Sequence, residues 1–278
     1  MKSCANRICS FMGSKMRHLP TICAAIDELI ADPSQYSYVE PFLGSGVVFL
    51  NLAQRFKRYV LNDRQKELML FFQNYEGVGQ HIDERIAFER LNYGIESSKE
   101  AYYAFRKQFN ENQEFGFTKA IDFIMLANTC INNIVRFNGS RLNSAYGVGK
   151  YSNKLGSIRN AVERCRQCRP VCLSHDFRDV LRICDGMLER GEKPFLFLDP
   201  PYYQRPMHCA WNEDDTKFLC EWLLGNDAKF VYFDMHDGNR YVQMLVDNGC
   251  RLRTSTKIGD MRPTSRPRMK HTEAIVCR

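Results

Sequence analysis

The sequence predicts an α/β fold, an open sheet with helices on both faces, interrupted by a mostly helical insertion. Three observations predict it. Tyr36–Tyr75 reads as strand, Gly-rich turn, helix, strand, helix. Gly77 to about Asn133 then shows helical periodicity and no clear strand. From Val171 onward short apolar runs again alternate with helical stretches.

In order, a helix over about Leu19–Ala31 carries Ile22, Ala25, Ile26, Leu29 and Ile30 on one face. Tyr36-Ser37-Tyr38-Val39-Glu40 reads as a strand that runs into Pro41-Phe42-Leu43-Gly44-Ser45-Gly46 and a helix over about Val47–Arg55. Tyr59–Asp63 is the next strand, followed by a helix to about Tyr75. After the helical stretch, Arg136–Arg159 reads as a loop with four glycines; it holds Arg136, Arg141, Lys150, Lys154 and Arg159 and no acid. A helix near Ser157–Cys168 and strands at Val171–Ser174 and Phe195–Leu198 resume the alternation. Helices Asp214–Leu224 and Asn239–Asp247 then frame a strand at Phe230–Phe233, and late strands lie near Arg251–Thr256 and Glu273–Cys277. The expected organisation is one α/β domain in two parts, residues 1–75 and 157–278, split by an insertion over residues 76–156.

A chain of 278 residues can bury a real core. Lys and Arg number 39 against 32 Asp and Glu, a net +7 that suits a polyanionic partner without requiring one. Twelve scattered cysteines and no signal peptide fit a reducing cytoplasm better than a disulfide framework. No apolar run approaches a membrane span, so no membrane association is expected.

The stretch Phe195-Leu196-Phe197-Leu198-Asp199-Pro200-Pro201-Tyr202 carries the chemistry. Two prolines, lacking an N–H, end the strand and present Asp199 and Tyr202 at its carboxyl end, where open α/β sheets place ligands. A carboxylate, fixed carbonyls and an aromatic face suit a planar group bearing an amine. Upstream, Gly44 and Gly46 let backbone approach a ligand closely, and a helix N-terminus beyond them favours a carboxylate. Phe49 stands where a dinucleotide fingerprint wants a small residue, which argues against NAD. Asp63 ends the second strand, where an acid can accept two ribose hydroxyls or cap the next helix before Arg64.

Phe11-x-Gly13-x-Lys15, Glu40-Pro41-Phe42-x-Gly44-x-Gly46, Asn62-Asp63, Asp176-Phe177 and Asp199-Pro200-Pro201-Tyr202 occur in an order that resembles the Dam-type DNA adenine methyltransferases. The similarity runs nearly the whole chain, to Glu273-Ala-Ile-Val. The resemblance implies a Rossmann-like methyltransferase sheet, S-adenosylmethionine as cofactor, double-stranded DNA as partner, no metal, and methyl transfer to the adenine amine by base flipping at GATC or a related site. The implied cofactor-binding set is Phe11, Met12, Gly13, Lys15, Glu40, Pro41, Phe42, Gly44, Ser45, Gly46, Asp63, Asp176, Phe177 and Asp199. In it Phe11 and Lys15 lie against the cofactor, and Asp176 and Phe177 contact its adenine.

The amine of adenine is a poor nucleophile because its lone pair is delocalised into the ring. Asp199 and the Pro200 carbonyl are the expected acceptors for its two N–H groups, with Tyr202 stacking on the base. Asn132-Asn133-Ile134-Val135-Arg136-Phe137-Asn138 resembles the family's DNA-contacting segment, in which Arg136 is the expected base reader. Asn132, Asn133, Asn138, Arg141, Asn143, Tyr146 and Lys150 complete the expected DNA-binding set. Lys257–Lys270, with five basic residues and Asp260, suits a loop touching phosphates.

The chain departs from many relatives at Ser10, Ile131 and Ala145, where they carry a lysine, an aromatic and a proline. Cys165, Cys168, Cys172 and His175 are four potential zinc ligands, but they fall across a helix and a strand with no second knuckle. RNA or cytosine-amino methyl transfer, and a non-catalytic DNA-binding regulator on the same scaffold, are the alternatives.

Overall fold

A computed structural model describes residues 6–10, 13–204, 211–258 and 270–278. Seven strands form the sheet: β1 (Tyr36–Glu40), β2 (Arg58–Asn62), β5 (Val171–Leu173), β6 (Lys193–Leu198), β7 (Lys229–Met235), β8 (Arg251–Ile258) and β9 (Lys270–Cys277). Their order is β5-β2-β1-β6-β7-β9-β8. β9 runs antiparallel to β7 and β8, while β1, β6 and β7, and β2 with β5, are parallel. A separate hairpin pairs β3 (Phe137–Asn138) with β4 (Arg141–Leu142). The helices are α1 (Leu19–Leu29), α2 (Lys66–Gln73), α3 (Tyr75–Asn92), α4 (Lys99–Glu111), α5 (Phe117–Thr129), α6 (Leu155–Cys168), α7 (Phe177–Glu189), α8 (Glu213–Gly225) and α9 (Arg240–Asp247). This is the mixed α/β class the sequence predicts, a mostly parallel sheet flanked by helices. Among the described residues no helix is long and apolar enough to cross a membrane.

The chain forms two compact units: Met1–Pro20, Leu43–Ala53 and Tyr59–Phe177 in the first, and Thr21–Phe42, Gln54–Arg58 and Arg178–Arg278 in the second. In the first, α5 is buried nearly all round, as a helix must be when other helices pack on every side. Its Asp122 is also buried, and Arg85 of α3 meets it with two hydrogen bonds of 2.6 and 2.8 Å. Burial pushes the Asp122 carboxyl up while the Arg85 bonds pull it down. Glu89 is fully buried and accepts the Ile95 N–H at 2.7 Å and the Tyr151 hydroxyl, tying α3 to the segment before α6.

In the second unit β6 is the centre of the core: Phe195, Leu196, Phe197 and Leu198 are at most 1% exposed. Tyr38 stacks on Phe195 with ring centroids 6.3 Å apart, and Phe197 meets Phe233 at 5.8 Å. A strand buried on both faces has no polar alternation, which is why this apolar run reads so plainly.

Two expectations need correction, and one helix was missed. The helix expected over Val47–Arg55 is only a 3-10 turn, Phe49–Asn51. The Asn51 side chain donates to the Val47 carbonyl at 2.7 Å, the acceptor its own N–H would use in an α-helix, and that N–H goes to Val48 instead. A second bond from the Asn51 amide reaches the Asn6 carbonyl. Arg136–Arg159 is not all loop: it holds the β3–β4 hairpin, and α6 begins at Leu155. Helix α7 was not expected; it starts on Phe177 directly after Asp176 and buries Val180, Leu181, Cys184 and Met187.

Candidate active site

In the first unit, Asp63 sits just beyond β2 and is half-buried. Its Oδ2 accepts the Gly44 N–H at 2.8 Å and its Oδ1 accepts the Gln65 N–H at 2.9 Å. It therefore does hold the backbone at the start of α2, and it also ties that point to the Gly-rich turn. Burial pushes its carboxyl up to about 6, against these two donors. Each oxygen retains lone-pair capacity for a hydroxyl donor.

The Gly-rich turn is built tightly. Gly44 and Gly46 have φ of +54° and +72°, and the Leu43 N–H bonds the Asn62 carbonyl at 2.8 Å. A Cβ at Gly46 would lie 2.4 Å from the Phe72 ring, so glycine is required there on two counts. Because Val47–Arg55 is not a helix, no helix N-terminus follows the turn to favour a carboxylate. Lys15 supplies positive charge within this unit instead: it is 2% exposed, and its Nζ donates to the Gly13 carbonyl at 2.9 Å. Asp176 follows β5, and Ser174 donates its hydroxyl to the Asp63 carbonyl at 3.2 Å. Phe177 is buried at the start of α7. Phe11 and Met12 lie outside the described residues.

In the second unit, β1 ends on Glu40, a buried carboxylate that accepts the Tyr38 hydroxyl at 2.8 Å. Phe42 meets Trp211 edge-on, with centroids 5.4 Å apart. At the carboxyl end of β6, Asp199 and Tyr202 are half-buried and Pro200 is buried. The Tyr202 hydroxyl lies 3.4 Å from Asp199 Oδ1 and 3.3 Å from Glu273 Oε1 of β9. Burial, then the charges of Asp199, Glu273 and Asp234, hold this phenol well above its ordinary range, so it keeps its proton. Asp234 of β7 is 1% exposed and accepts the Tyr232 hydroxyl and the Met235 N–H; burial raises its carboxyl to about 6.

A proline-terminated strand that offers a half-buried carboxylate and a protonated phenol, and a separate Gly-rich turn braced by an acid, are the two groups that any assignment has to accommodate. Residues 11–224, more than half of the chain, match the D12 class N6 adenine-specific DNA methyltransferase family. The chain belongs to that family. It is 27% identical over 202 residues to the Type II methyltransferase M.MjaIII of Methanocaldococcus jannaschii, covering 68% of this chain and 66% of that protein. It is 29% identical over 176 residues to the DNA adenine methylase of Escherichia coli, covering 61% and 57%. A match of 26% over 217 residues to the DNA N-6-adenine-methyltransferase of Escherichia phage P1 covers 77% of this chain but 25% of that protein. The chain thus spans less than two thirds of the length of each of these relatives.

In this D12-class chain the segment singled out for DNA recognition lies in the first unit and is braced from behind. Arg136, Asn138, Arg141, Asn143 and Lys150 are exposed, and so is Asn132, whose φ of +54° is in the left-handed region. Tyr146 is half-buried against Tyr102 at 5.7 Å. The side chain of Asn133 and that of Lys257 lie outside the described residues, as do residues 259–269 with Arg266 and Arg268.

The bracing residues are ones the sequence did not single out. Asn110 of α4 accepts the Leu142 N–H at 2.8 Å and donates to the Leu142 carbonyl at 3.0 Å. Arg106 donates to the Ser144 carbonyl at 2.6 Å, and the Ser144 hydroxyl accepts the Arg136 N–H at 2.8 Å. Phe137 stacks on Phe123 at 6.3 Å. A signal for the hairpin was present: Gly139-Ser140 between Phe137 and Leu142, with Gly139 at φ +59°, is a two-residue turn with glycine first.

Proposed function

We propose that the chain transfers the methyl group of S-adenosylmethionine to the exocyclic amine of adenine in double-stranded DNA, with the target base turned out of the helix. The observation that carries this reading is Asp199-Pro200-Pro201-Tyr202 at the carboxyl end of β6 in a D12-class chain. Asp199 and the Pro200 carbonyl accept the two amine N–H groups, which leaves the nitrogen lone pair available. Tyr202 and the prolines fix that geometry, and the Tyr202 ring stacks on the base. Extrusion of the base follows from geometry, since the amine is paired and stacked in the duplex.

The residues present fit the cofactor. Asp63 has acceptor capacity for ribose hydroxyls, the Gly44–Gly46 turn admits close approach, and the buried Lys15 ammonium suits a carboxylate. Asp176 and Phe177 complete this group around an adenine, with Glu40, Pro41, Phe42 and Ser45 beside the Gly-rich turn in sequence. When bound, S-adenosylmethionine supplies a methyl group already activated by sulfonium charge. The exposed Arg136 reads a guanine edge, at GATC or a site related to it given Ser10 and Ala145. The chain's twelve scattered cysteines suit a reducing cytoplasm.

The test is incubation with duplex DNA and labelled S-adenosylmethionine, followed by digestion to nucleosides. Label in N6-methyladenine, lost on Asp199→Ala in a protein that still folds and binds cofactor, is the expected result. The loss should be on the order of 100-fold or more, as for one preorganised group at a reacting centre. Label in N4-methylcytosine or only in RNA would overturn the reading, as would cofactor binding with no turnover.

A further inference from the structure

In the first unit, the two ends of residues 146–152 meet one residue of a different segment. Glu96 lies in the connection between α3 and α4 and is half-buried. Its Oε1 accepts the Ser152 N–H at 2.7 Å, and its Oε2 accepts the Ser152 hydroxyl at 3.1 Å. Its backbone carbonyl accepts the Tyr146 hydroxyl at 3.4 Å. Beside Ser152, the Tyr151 hydroxyl donates to Glu89, the carboxylate that also takes the Ile95 N–H next to Glu96. The Tyr146 end has a further hold: the Gly147 N–H meets the Thr129 carbonyl at 3.1 Å. Gly147 passes so close to the Ile131 backbone that a Cβ there would lie 2.5 Å from it.

Between these holds, Val148 is 97% exposed and Lys150 is exposed, with glycines at 147 and 149. Two glycines leave such a stretch wide backbone freedom, and an apolar side chain in solvent adds no packing of its own. The shape of the crown therefore comes from its ends. Arg136–Arg159 holds five Lys or Arg and no acid, so both carboxylates at the base of this loop are brought from outside it. A carboxylate near a phosphate backbone repels it. Glu96 turns both oxygens onto Ser152, which is the use of a positioning group. We propose that Tyr146–Ser152 is a preformed docking element for duplex DNA, with Lys150 as its phosphate contact, and that Glu96 is the positioning residue that forms it. A segment ordered beforehand loses little entropy on binding. The inference deepens the functional reading above and rests on it, since it takes duplex DNA as the partner.

Glu96→Gln and Glu96→Ala separate position from charge. The amide keeps an oxygen for the Ser152 N–H and an N–H for the Ser152 hydroxyl oxygen, while the charge is lost. Fluorescence anisotropy with labelled duplex DNA should show Glu96→Gln binding as tightly as the wild type or tighter, and Glu96→Ala binding about tenfold more weakly. Calorimetry should show S-adenosylmethionine affinity unchanged in both. Tighter DNA binding by both variants would mean that Glu96 acts only as a charge, and would overturn the proposal. Ser152→Ala removes one contact from the other side and should weaken DNA binding by about threefold, so the claim stays testable if Glu96→Ala does not fold. Unchanged DNA affinity in Ser152→Ala and in any folded Glu96→Ala would overturn it. In a Val148→Ala, Lys150→Ala background the crown has little left to present, so adding Glu96→Ala should cost no further affinity. The same tenfold loss in both backgrounds would place the effect elsewhere and overturn the proposal. If the loop variants behave as expected while the wild-type chain methylates no adenine, the docking element stands and the methyl-transfer reading falls. If the wild-type chain binds no duplex DNA, both fall.

Discussion

Asn62 and His175 exchange two hydrogen bonds: the Asn62 amide donates to the His175 carbonyl at 3.1 Å, and its oxygen accepts the His175 N–H at 2.9 Å. Asn62 is 1% exposed at the end of β2, and His175 precedes Asp176. One side chain thereby pins the segment carrying Asp176 to the strand that delivers Asp63. Asn62→Ala removes both bonds to the His175 backbone, and because His175 is exposed and water can take the place of the amide, the cost is that of ordinary hydrogen bonds, about 0.5–1.5 kcal/mol each. Unfolding in urea should show it as a lower midpoint at unchanged slope. Calorimetry should show weaker S-adenosylmethionine binding alongside.

Asp63 carries a pH dependence whose sign can be worked out. Its carboxyl rises from the ordinary 3.8 of an aspartate to about 6 in the folded chain, with burial as the main cause. The folded state therefore holds the proton more tightly than the unfolded one. Its contribution to stability is present below about pH 4 and is lost as pH rises through about 6. Ribose hydroxyls need the carboxylate, so cofactor affinity moves the other way. Binding at pH 5 should be about tenfold weaker than at pH 7.5, and Asp63→Asn should bind weakly and nearly independently of pH. An affinity that stays flat across this range in the wild type would show that Asp63 does not meet the cofactor.

Gly46→Ala should destabilise the first unit. The new methyl meets the Phe72 ring at 2.4 Å, and φ of +72° is unfavourable for any side chain. Together these should cost about 1–3 kcal/mol or more. Phe72→Leu added to Gly46→Ala should recover the steric part alone, so a partial rescue in unfolding midpoint is the expected outcome. No rescue at all would mean the backbone conformation accounts for the whole effect.

Arg136 and Asn110 should separate reading from bracing. Arg136→Ala should lose about 1–3 kcal/mol of discrimination at one base pair. Asn110→Leu leaves the Leu142 backbone groups without their partner and should relax discrimination at several positions together. Lys257, Arg266 or Arg268→Ala should instead weaken binding to all sequences and flatten its salt dependence. Methylation rates on single-base variants of the target, at two salt concentrations, distinguish these outcomes. If Arg136→Ala lowers every rate by one factor, Arg136 positions the backbone and the reader lies elsewhere.

What was legible in the sequence was what short-range pattern encodes. Phe195–Leu198 is buried on every side chain, so its apolar run and terminal prolines announced β6. Asp63 was visible as an acid at a strand end, although its bond to Gly44 joins residues 19 apart and no local pattern reports it. Val47–Arg55 misled because apolar spacing there suits a helix, while one Asn51 amide takes over the helical acceptor. Glu273 gave no local sign of facing Tyr202, since 71 residues separate them and only the β7–β9 register brings Glu273 to that position. Asn110 gave none either: in sequence it is one polar residue among many on an exposed-looking helix.

Its pairing with Leu142 has a further consequence. A ribbon of two-residue strands has two open edges and little cohesion of its own. By matching both the N–H and the carbonyl of Leu142, the Asn110 amide acts as a one-residue third strand and closes one of those edges against stray pairing with another chain. The tip, Asn138–Arg141, is relieved of holding the ribbon together, so its side chains can be exchanged without unmaking it.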